Sequence, residues 1–465
     1  MIWLASLLLL FILQAAAILL SEYKRPAKSV AWLSILYVFP IIGFVMYYFM
    51  AREYVRRKRV YRDHRGERER FVREEGPETW PASMDKRLCE WLRRIPGAPL
   101  TVRNRVAVLT NAAATYDALL EDLELAQRHI HFEFYTIRDD ETGRRFQDVL
   151  IRKAREGIQV RVIYDGMGSY QLPKAYVDKL RAAGCEVYPF LKPLIAFFEK
   201  RLNYRNHRKI VVVDGKVGFV GGINIGDEYL GGDPKLGFWR DTHLKMEGEA
   251  VADLQRTFLT DWAFVSGRQL RNKDLFPKPD VEEEAHVQIF SSGPDRYWDT
   301  IQEMFFTGMI AARRRIYVTT PYFIPDPSIT MALKTAASSG ADVRVILPYK
   351  GDSRIVRYAS QSYMQELLQA GVRFYLYRKG FIHAKVILFD DFMATAGTAN
   401  MDMRSFFSNF ELNAVLFSQS AIRRLEQDFT MDLQECEEVE LAAFLQRPKS
   451  VKCKEAIARL LSPLF

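Results

Sequence analysis

The sequence predicts an α/β protein made of two copies of one domain, preceded by a two-helix transmembrane hairpin. Three observations carry that prediction. Strand-like segments recur in the same order in the two halves of the chain, each half ends in the same polar motif, and the N-terminus holds two long apolar runs.

The apolar runs come first. Ile2 to Leu20 is broken only by Ser6 and Gln14, and Val30 to Met50 is a run of 21 residues without a charge. About 20 apolar residues cross a bilayer core as a helix, so spans are expected over 2–20 and 30–50. The first run lacks the basic flank of a cleaved signal, which favours a retained span. Trp32, Tyr47 and Tyr48 stand near the ends of the second run, where amphipathic rings favour the membrane interface. The polar joint Ser21 to Ser29 carries three basic residues, Lys24, Arg25 and Lys28. Arg52 to Arg70 carries nine, with Arg56, Arg57, Lys58 and Arg59 in one cluster. That bias predicts a cell-membrane protein with its remaining domains in the cytoplasm, and a basic juxtamembrane linker over 51–105 that attracts anionic lipid.

The remainder has an ordinary globular balance. Of 465 residues, 49% are hydrophobic and 26% charged, with a formal net charge of +9. The basic excess suits an anionic partner without choosing among nucleic acid, acidic lipid and phosphate esters. Cys89, Cys185, Cys436 and Cys453 are scattered, which argues against both a zinc site and a disulfide framework.

A first domain is expected over 106–275 and a second over 276–465. Strand patterns at 129–135, 157–163 and 184–190 are matched by 315–322, 340–346 and 371–377, with Gly157-Ile-Gln-Val-Arg-Val-Ile163 nearly repeated as Gly340-Ala-Asp-Val-Arg-Val-Ile346. Between the third strand and the motif, the first half is longer than the second. Its extra residues include Leu191, Leu194, Ile195, Phe197 and Phe198, closed by Lys200 and Arg201, which suits either an interfacial segment or core cover.

The chemistry lies in the repeated motif. His207, Lys209, Asp214 and Asn224 fall at the same spacing as His383, Lys385, Asp390 and Asn400. Histidine and lysine two apart in extended chain share a face, so a neutral imidazole and an ammonium can meet one phosphate as nucleophile and charge clamp. Asp214 and Asp390 have the wrong parity for that face, and Asp214 opens an Asp-Gly turn; both are read as mainly structural members of the set. Asn224 and Asn400 offer amide donors to phosphate oxygens. An attacking imidazole needs an acceptor on its other nitrogen. Asp241 and Glu411, downstream of each motif, are the candidates, Asp241 for His207 and Glu411 for His383.

This paired motif resembles that of the phospholipase D superfamily. Within it, the chain is similar to the bacterial cardiolipin synthases over nearly its whole length, through Phe39-Pro-Ile-Ile-Gly-Phe44, Asn224-Ile-Gly-Asp-Glu-Tyr229, Trp239-Arg-Asp-Thr242, Pro321-Tyr-Phe-Ile-Pro325 and Asn400-Met-Asp-Met-Arg-Ser405. The resemblance implies two pseudo-symmetric α/β/α domains packed face to face, sharing one phosphodiester site that needs no metal or other cofactor. It implies transfer of a phosphatidyl group from one phosphatidylglycerol to another through a phosphohistidine, with His207 as nucleophile and His383 as general acid. The expected partners are phosphatidylglycerol, other anionic phospholipids and the bilayer, with no nucleic acid. Hydrolysis, and transfer to serine, stay open as reactions of the same residues. One departure stands out: Gly222, matched by Thr398, lacks a hydroxyl that is common in the superfamily.

Overall fold

The computed structural model describes residues 2–22, 26–50, 84–95, 97–191, 204–294 and 299–464. Two sheets with one shared strand order form its body. The first runs β2 (Asn104–Thr110), β10 (Thr242–Gly248), β8 (Val217–Gly221), β7 (Ile210–Val213), β3 (His129–Phe134), β4 (Gln159–Asp165), β5 (Glu186–Phe190). The second repeats that path as β11 (Val287–Ser292), β20 (Asn409–Leu416), β18 (Met393–Gly397), β17 (Val386–Phe389), β12 (Arg315–Thr319), β14 (Asp342–Pro348), β15 (Arg373–Tyr377). It is extended by β1 (Leu100–Thr101) beyond β11 and by β21 (Cys436–Glu438) beyond β15. A short parallel pair, β13 (Phe323–Ile324) with β19 (Met401–Asp402), lies beside it. In each sheet the three expected strands are parallel neighbours joined by helical crossovers; β3 is buried on both faces, and the outer strand β5 mixes buried with half-buried residues.

The sheets share a core. Val212, Val220 and Leu244 of the first pack in one buried cluster with Ile289, Leu388 and Leu412 of the second. The helices Val251–Ser266 and Gln419–Gln434, at equivalent places in the two halves, add Phe258, Trp262, Leu425 and Phe429 to it. Each such side chain contributes about 1.5–3 kcal/mol on burial, so the seam between the halves is held like an interior.

The expected linker 51–105 is corrected at its C-terminal end. Helix α4 (Lys86–Arg94), capped by Asp85 through Arg87 N–H at 2.7 Å, buries Leu88 and Leu92 beside Phe290 and Met304 of the second half. Residues 51–83, with the basic cluster, lie outside the described residues, as do 192–203 with Leu194, Ile195, Phe197, Phe198, Lys200 and Arg201.

The N-terminus also differs from expectation. Helix α1 (Ile2–Ser21) covers the first expected helix, helices α2 (Pro26–Val38) and α3 (Pro40–Met50) divide the second, and among the described residues no helix is long and apolar enough to cross a membrane. The second run is divided at Pro40, which has no N–H to continue the ladder and whose ring opposes the preceding turn. α3 folds back on α2, so that the Trp32 and Tyr47 rings meet at 5.5 Å instead of standing at opposite ends of one span. Gly43 permits the close approach: a Cβ there would stand 2.9 Å from the Ile35 carbonyl oxygen.

Candidate active site

Each motif histidine is carried to the seam by a short strand paired with the other half of the molecule. β6 (Arg205–Asn206) leaves the first half to pair with β20, and β16 (Gly380–Ile382) pairs with β9 (Phe238–Arg240) of the first half. The histidine and lysine of each motif therefore lie in the extended connection between strands, not within one. His207 N–H donates to Phe410 O at 2.9 Å and His383 N–H to Arg240 O at 2.7 Å. The residue after each accepting carbonyl is a carboxylate, so backbone and side chain of one histidine are held by the same two residues of the opposite half.

The carboxylate pairing is thus crossed, which corrects the expected assignment. His207 Nδ1 donates to Glu411 Oε2 at 2.9 Å, and His383 Nδ1 donates to Asp241 Oδ2 at 2.7 Å. Both carboxylates are fully buried. Burial pushes each carboxyl up, yet the facing histidine, a motif lysine and local donors outweigh it and hold both below the ordinary range. An ionised carboxylate cannot donate, so Nδ1 carries the proton and Nε2 presents its lone pair to the site.

Lys209 and Lys385 are buried, and each ammonium donates to the carbonyl of its own histidine, at 2.8 Å for Lys209 with His207. Burial, with repulsion by Lys385, pulls Lys209 down to about 7, and burial pulls Lys385 to about 8, against the pull of Glu411 and Asp241. Burial also lowers His207, and it takes His383, with Lys385 alongside, to about 3. The resting site thus holds two neutral imidazoles and two lysines whose charges are matched by those of Glu411 and Asp241.

The asparagines differ. Asn224 Oδ1 accepts from Thr136 N–H at 3.1 Å and its amide donates to Tyr229 Oη at 3.1 Å, while buried Asn400 Oδ1 has no protein partner. Asp214 and Asp390 stand apart from the histidines. Each sits in a left-handed turn, at φ 54° and 47°, and accepts three backbone N–H bonds leading into β3 or β12. The donors are Gln127, Arg128 and His129 for Asp214, and Arg313, Arg314 and Arg315 for Asp390, at 2.7–2.9 Å. They fasten strands; they do not touch the reacting groups. Among the described residues no group of three His, Cys, Asp or Glu is placed to hold a metal ion.

Tyr135 and Asn409 had not been singled out from sequence, and Trp239 and Thr398 had been quoted without a role. The Tyr135 ring lies edge-on to His207 at 5.0 Å, and Trp239 lies 5.1 Å from His383. Asn409 donates to Glu411 Oε1 at 3.0 Å; its place two residues before Glu411, hence on the same strand face, was the available signal. Thr398 Oγ1 donates to Glu411 Oε2 at 2.5 Å. Its counterpart must be Gly222, because a Cβ there would stand 2.1 Å from Asp241 Oδ1. The shorter aspartate draws its carboxylate into the space that a threonine occupies in the other half. Gly222→Ala is accordingly expected to displace Asp241 and lower kcat by roughly 100-fold with the fold retained. Thr398→Ser, which keeps the hydroxyl, should stay near wild type. Steady-state rates and thermal melts of both variants test this, and a Gly222→Ala enzyme with full activity would refute the steric account.

A family model described as cardiolipin synthase, PLD-like domain, matches residues 119–262 and 307–433. A cardiolipin synthase of Geobacillus kaustophilus (strain HTA426) is 44% identical over 458 residues, spanning 97% of this chain and 91% of that relative. Cardiolipin synthase 2 of Bacillus anthracis is 42% identical over 452 residues, spanning 96% and 88%. Among solved structures, phosphatidylserine synthase of Haemophilus influenzae Rd KW20 shares the fold at a TM-score of 0.64 and 14% identity, covering 82% of this chain and 99% of that one. Matched across both halves of the seam and nearly end to end, the chain belongs to the cardiolipin synthase family of phospholipase D-like proteins.

Proposed function

We propose that the protein is a phosphatidyltransferase that joins two phosphatidylglycerol molecules into cardiolipin and glycerol at a membrane surface. The observation that carries this reading is the pair of histidines, each with Nε2 turned to a shared site by a carboxylate of the opposite half. His207 Nε2 attacks phosphorus, the bond to the glycerol oxygen breaks, and His383 supplies the proton that glycerol takes away. The hydroxyl of the second phosphatidylglycerol then attacks the phosphohistidine, gives its proton to His383, and the P–N bond breaks.

Both imidazoles rest neutral, so the proton used by His383 enters with the substrate. An anion placed between the rings favours the imidazolium and draws a proton from solvent. Lys209 and Lys385 meet the charge on the phosphoryl oxygens, Asn224 is held by Thr136 and Tyr229, and Asn400 is the asparagine with an unpartnered amide oxygen. Asp214 and Asp390 contribute by fixing the strands that carry the site.

The deciding assay supplies purified enzyme with labelled phosphatidylglycerol in vesicles, with chelator in excess. Cardiolipin and glycerol in equal amounts are expected, at a rate unchanged by the chelator. Phosphatidic acid as the sole lipid product would overturn the synthase reading. Loss of turnover restored by one divalent ion would overturn the metal-free mechanism.

A further inference from the structure

Beside His207 stand two further cations that the mechanism does not use. Arg205 of β6 pairs with Asn409 of β20, and Arg404 of the short helix Met403–Phe407 donates from Nε to Asn409 Oδ1 at 3.3 Å. The Asn409 amide in turn donates to Glu411, the carboxylate that holds His207. Arg205 and His207 are two apart in extended chain, as are Asn409 and Glu411, so the four side chains share one face. Two arginines, one from each half of the molecule, are thus directed to the flank of the reactive pair. Both are half-buried, as is Tyr135, whose ring lies edge-on to His207.

The charge on Arg205 is poorly matched. Among the described residues it makes no ion pair, and its guanidinium donates to Tyr204 O at 2.7 Å. Burial, and after it the charge of Arg404, lower it from its ordinary value. Asp165 pulls the other way, yet its oxygens already accept from the N–H groups of Met167, Gly168 and Asn206 at 2.8–2.9 Å. The Tyr135 hydroxyl is raised by burial and then by Asp165, and lowered by both arginines, so the three groups share one neighbourhood. Two like charges brought together out of bulk water repel unless an anion lies between them. Arginine suits a phosphodiester in particular, since its planar fork meets two phosphate oxygens at once.

We propose that Arg205 and Arg404, with the Tyr135 hydroxyl, form a subsite for the phosphodiester of the acceptor lipid, separate from the lysine pair that meets the phosphate under attack. This rests on the reading of the protein as a transferase that forms cardiolipin. In that reaction the attacking hydroxyl belongs to a second phosphatidylglycerol, whose own phosphate stands only a glycerol away from it. The second anion approaches a phosphohistidine that still bears negative charge, and by the same reading Lys209 and Lys385 are already engaged with the first phosphate. A separate cationic pair on the His207 flank offsets that repulsion. It favours an anionic acceptor over water or a neutral alcohol, which is the choice that separates synthesis from hydrolysis.

The test sets two acceptors against each other, with the full chain in vesicles of phosphatidylglycerol. Exchange of labelled glycerol into phosphatidylglycerol uses the phosphohistidine with a neutral acceptor, and cardiolipin formation uses it with an anionic one. Arg205→Gln and Arg404→Gln are each expected to lower the ratio of cardiolipin formation to glycerol exchange by roughly 10–100-fold. Arg205→Lys, which keeps the charge without the fork, should fall between wild type and Arg205→Gln, and it carries the test if a glutamine variant melts early. Equal loss of both reactions would make the arginines supports of His207 and overturn the subsite, as would a ratio that does not move. Inorganic phosphate, titrated in parallel, is expected to inhibit cardiolipin formation only in large excess over lipid. Stimulation of the wild type by it, lost in both glutamine variants, would assign the arginines to free phosphate instead. A wild type that makes no cardiolipin refutes the reading on which the subsite rests, whereas one that makes it, with the ratio unmoved in the variants, refutes the subsite alone.

Discussion

Replacing His207 with alanine is expected to abolish turnover and the covalent phosphoenzyme together, a loss of roughly four orders of magnitude or more. The other motif imidazole, His383, is held by Asp241 and is assigned to proton transfer. Replacing His383 should also stop turnover, but it leaves the attacking ring in place with its acceptor Glu411. A phosphoenzyme should therefore still form slowly on His207, fastest from a substrate with a good leaving group. Each variant is incubated with substrate labelled at phosphorus, quenched in base, where phosphohistidine survives, and mapped. Label on His383 in the His207 variant, with none on His207 in the other, would reverse the roles of the two residues.

The second large effect follows from the crossed carboxylates. Glu411→Gln keeps an oxygen for His207 Nδ1–H but removes the charge that stabilises the phosphorylated ring. It should slow labelling of His207 and lower kcat by roughly 10²–10⁴-fold. Asp241→Asn should act on His383 instead, slowing leaving-group departure more than binding. Both variants sit in the half of the chain opposite to the histidine they disable, so an effect of Glu411→Gln confined to the proton-transfer step would contradict the geometry.

The pH dependence has a stated sign. Lys209 and Lys385, at about 7 and about 8, are charged below those values and lose charge as pH rises through them. The attraction for an anionic substrate is therefore complete on the acid side, and kcat/KM should fall above about pH 7. The acid limb, set by protonation of the attacking imidazole, should lie below the ordinary histidine value, since burial lowers His207. Because the carboxylates oppose that lowering, removing one should move its histidine lower still. A profile of kcat/KM that rises through pH 8 would refute this account.

Much of the molecule was legible as text. The repeated strands read correctly because a parallel strand buried on both faces is a short run of β-branched and aromatic residues, a local property. The histidine and lysine pairs fall at equivalent places in the two halves because fixed spacing in a repeated unit fixes equivalent places in its fold. The parity that set Asp214 and Asp390 off the reactive face is equally local, and the structure shows each closing a turn onto three backbone N–H groups. Gly222 was visible as a departure, though its reason was not: only the distance to Asp241 reveals that the missing side chain has no room.

What the residues alone determined, then, is the α/β repeat, the two reactive sets and the apolar character of the N-terminus, all consequences of periodicity and composition along the chain. Two matters were decided only in three dimensions. Hydropathy measures how apolar residues 30–50 are but not the direction of the chain after Pro40, and the fold-back of α3 onto α2 turned one expected span into a hairpin. The carboxylate partners likewise depended on where β6 and β16 cross between the halves. Each histidine follows a strand that has left its own sheet, so the nearest acceptor belongs to the other copy, and no spacing within either copy could have said so.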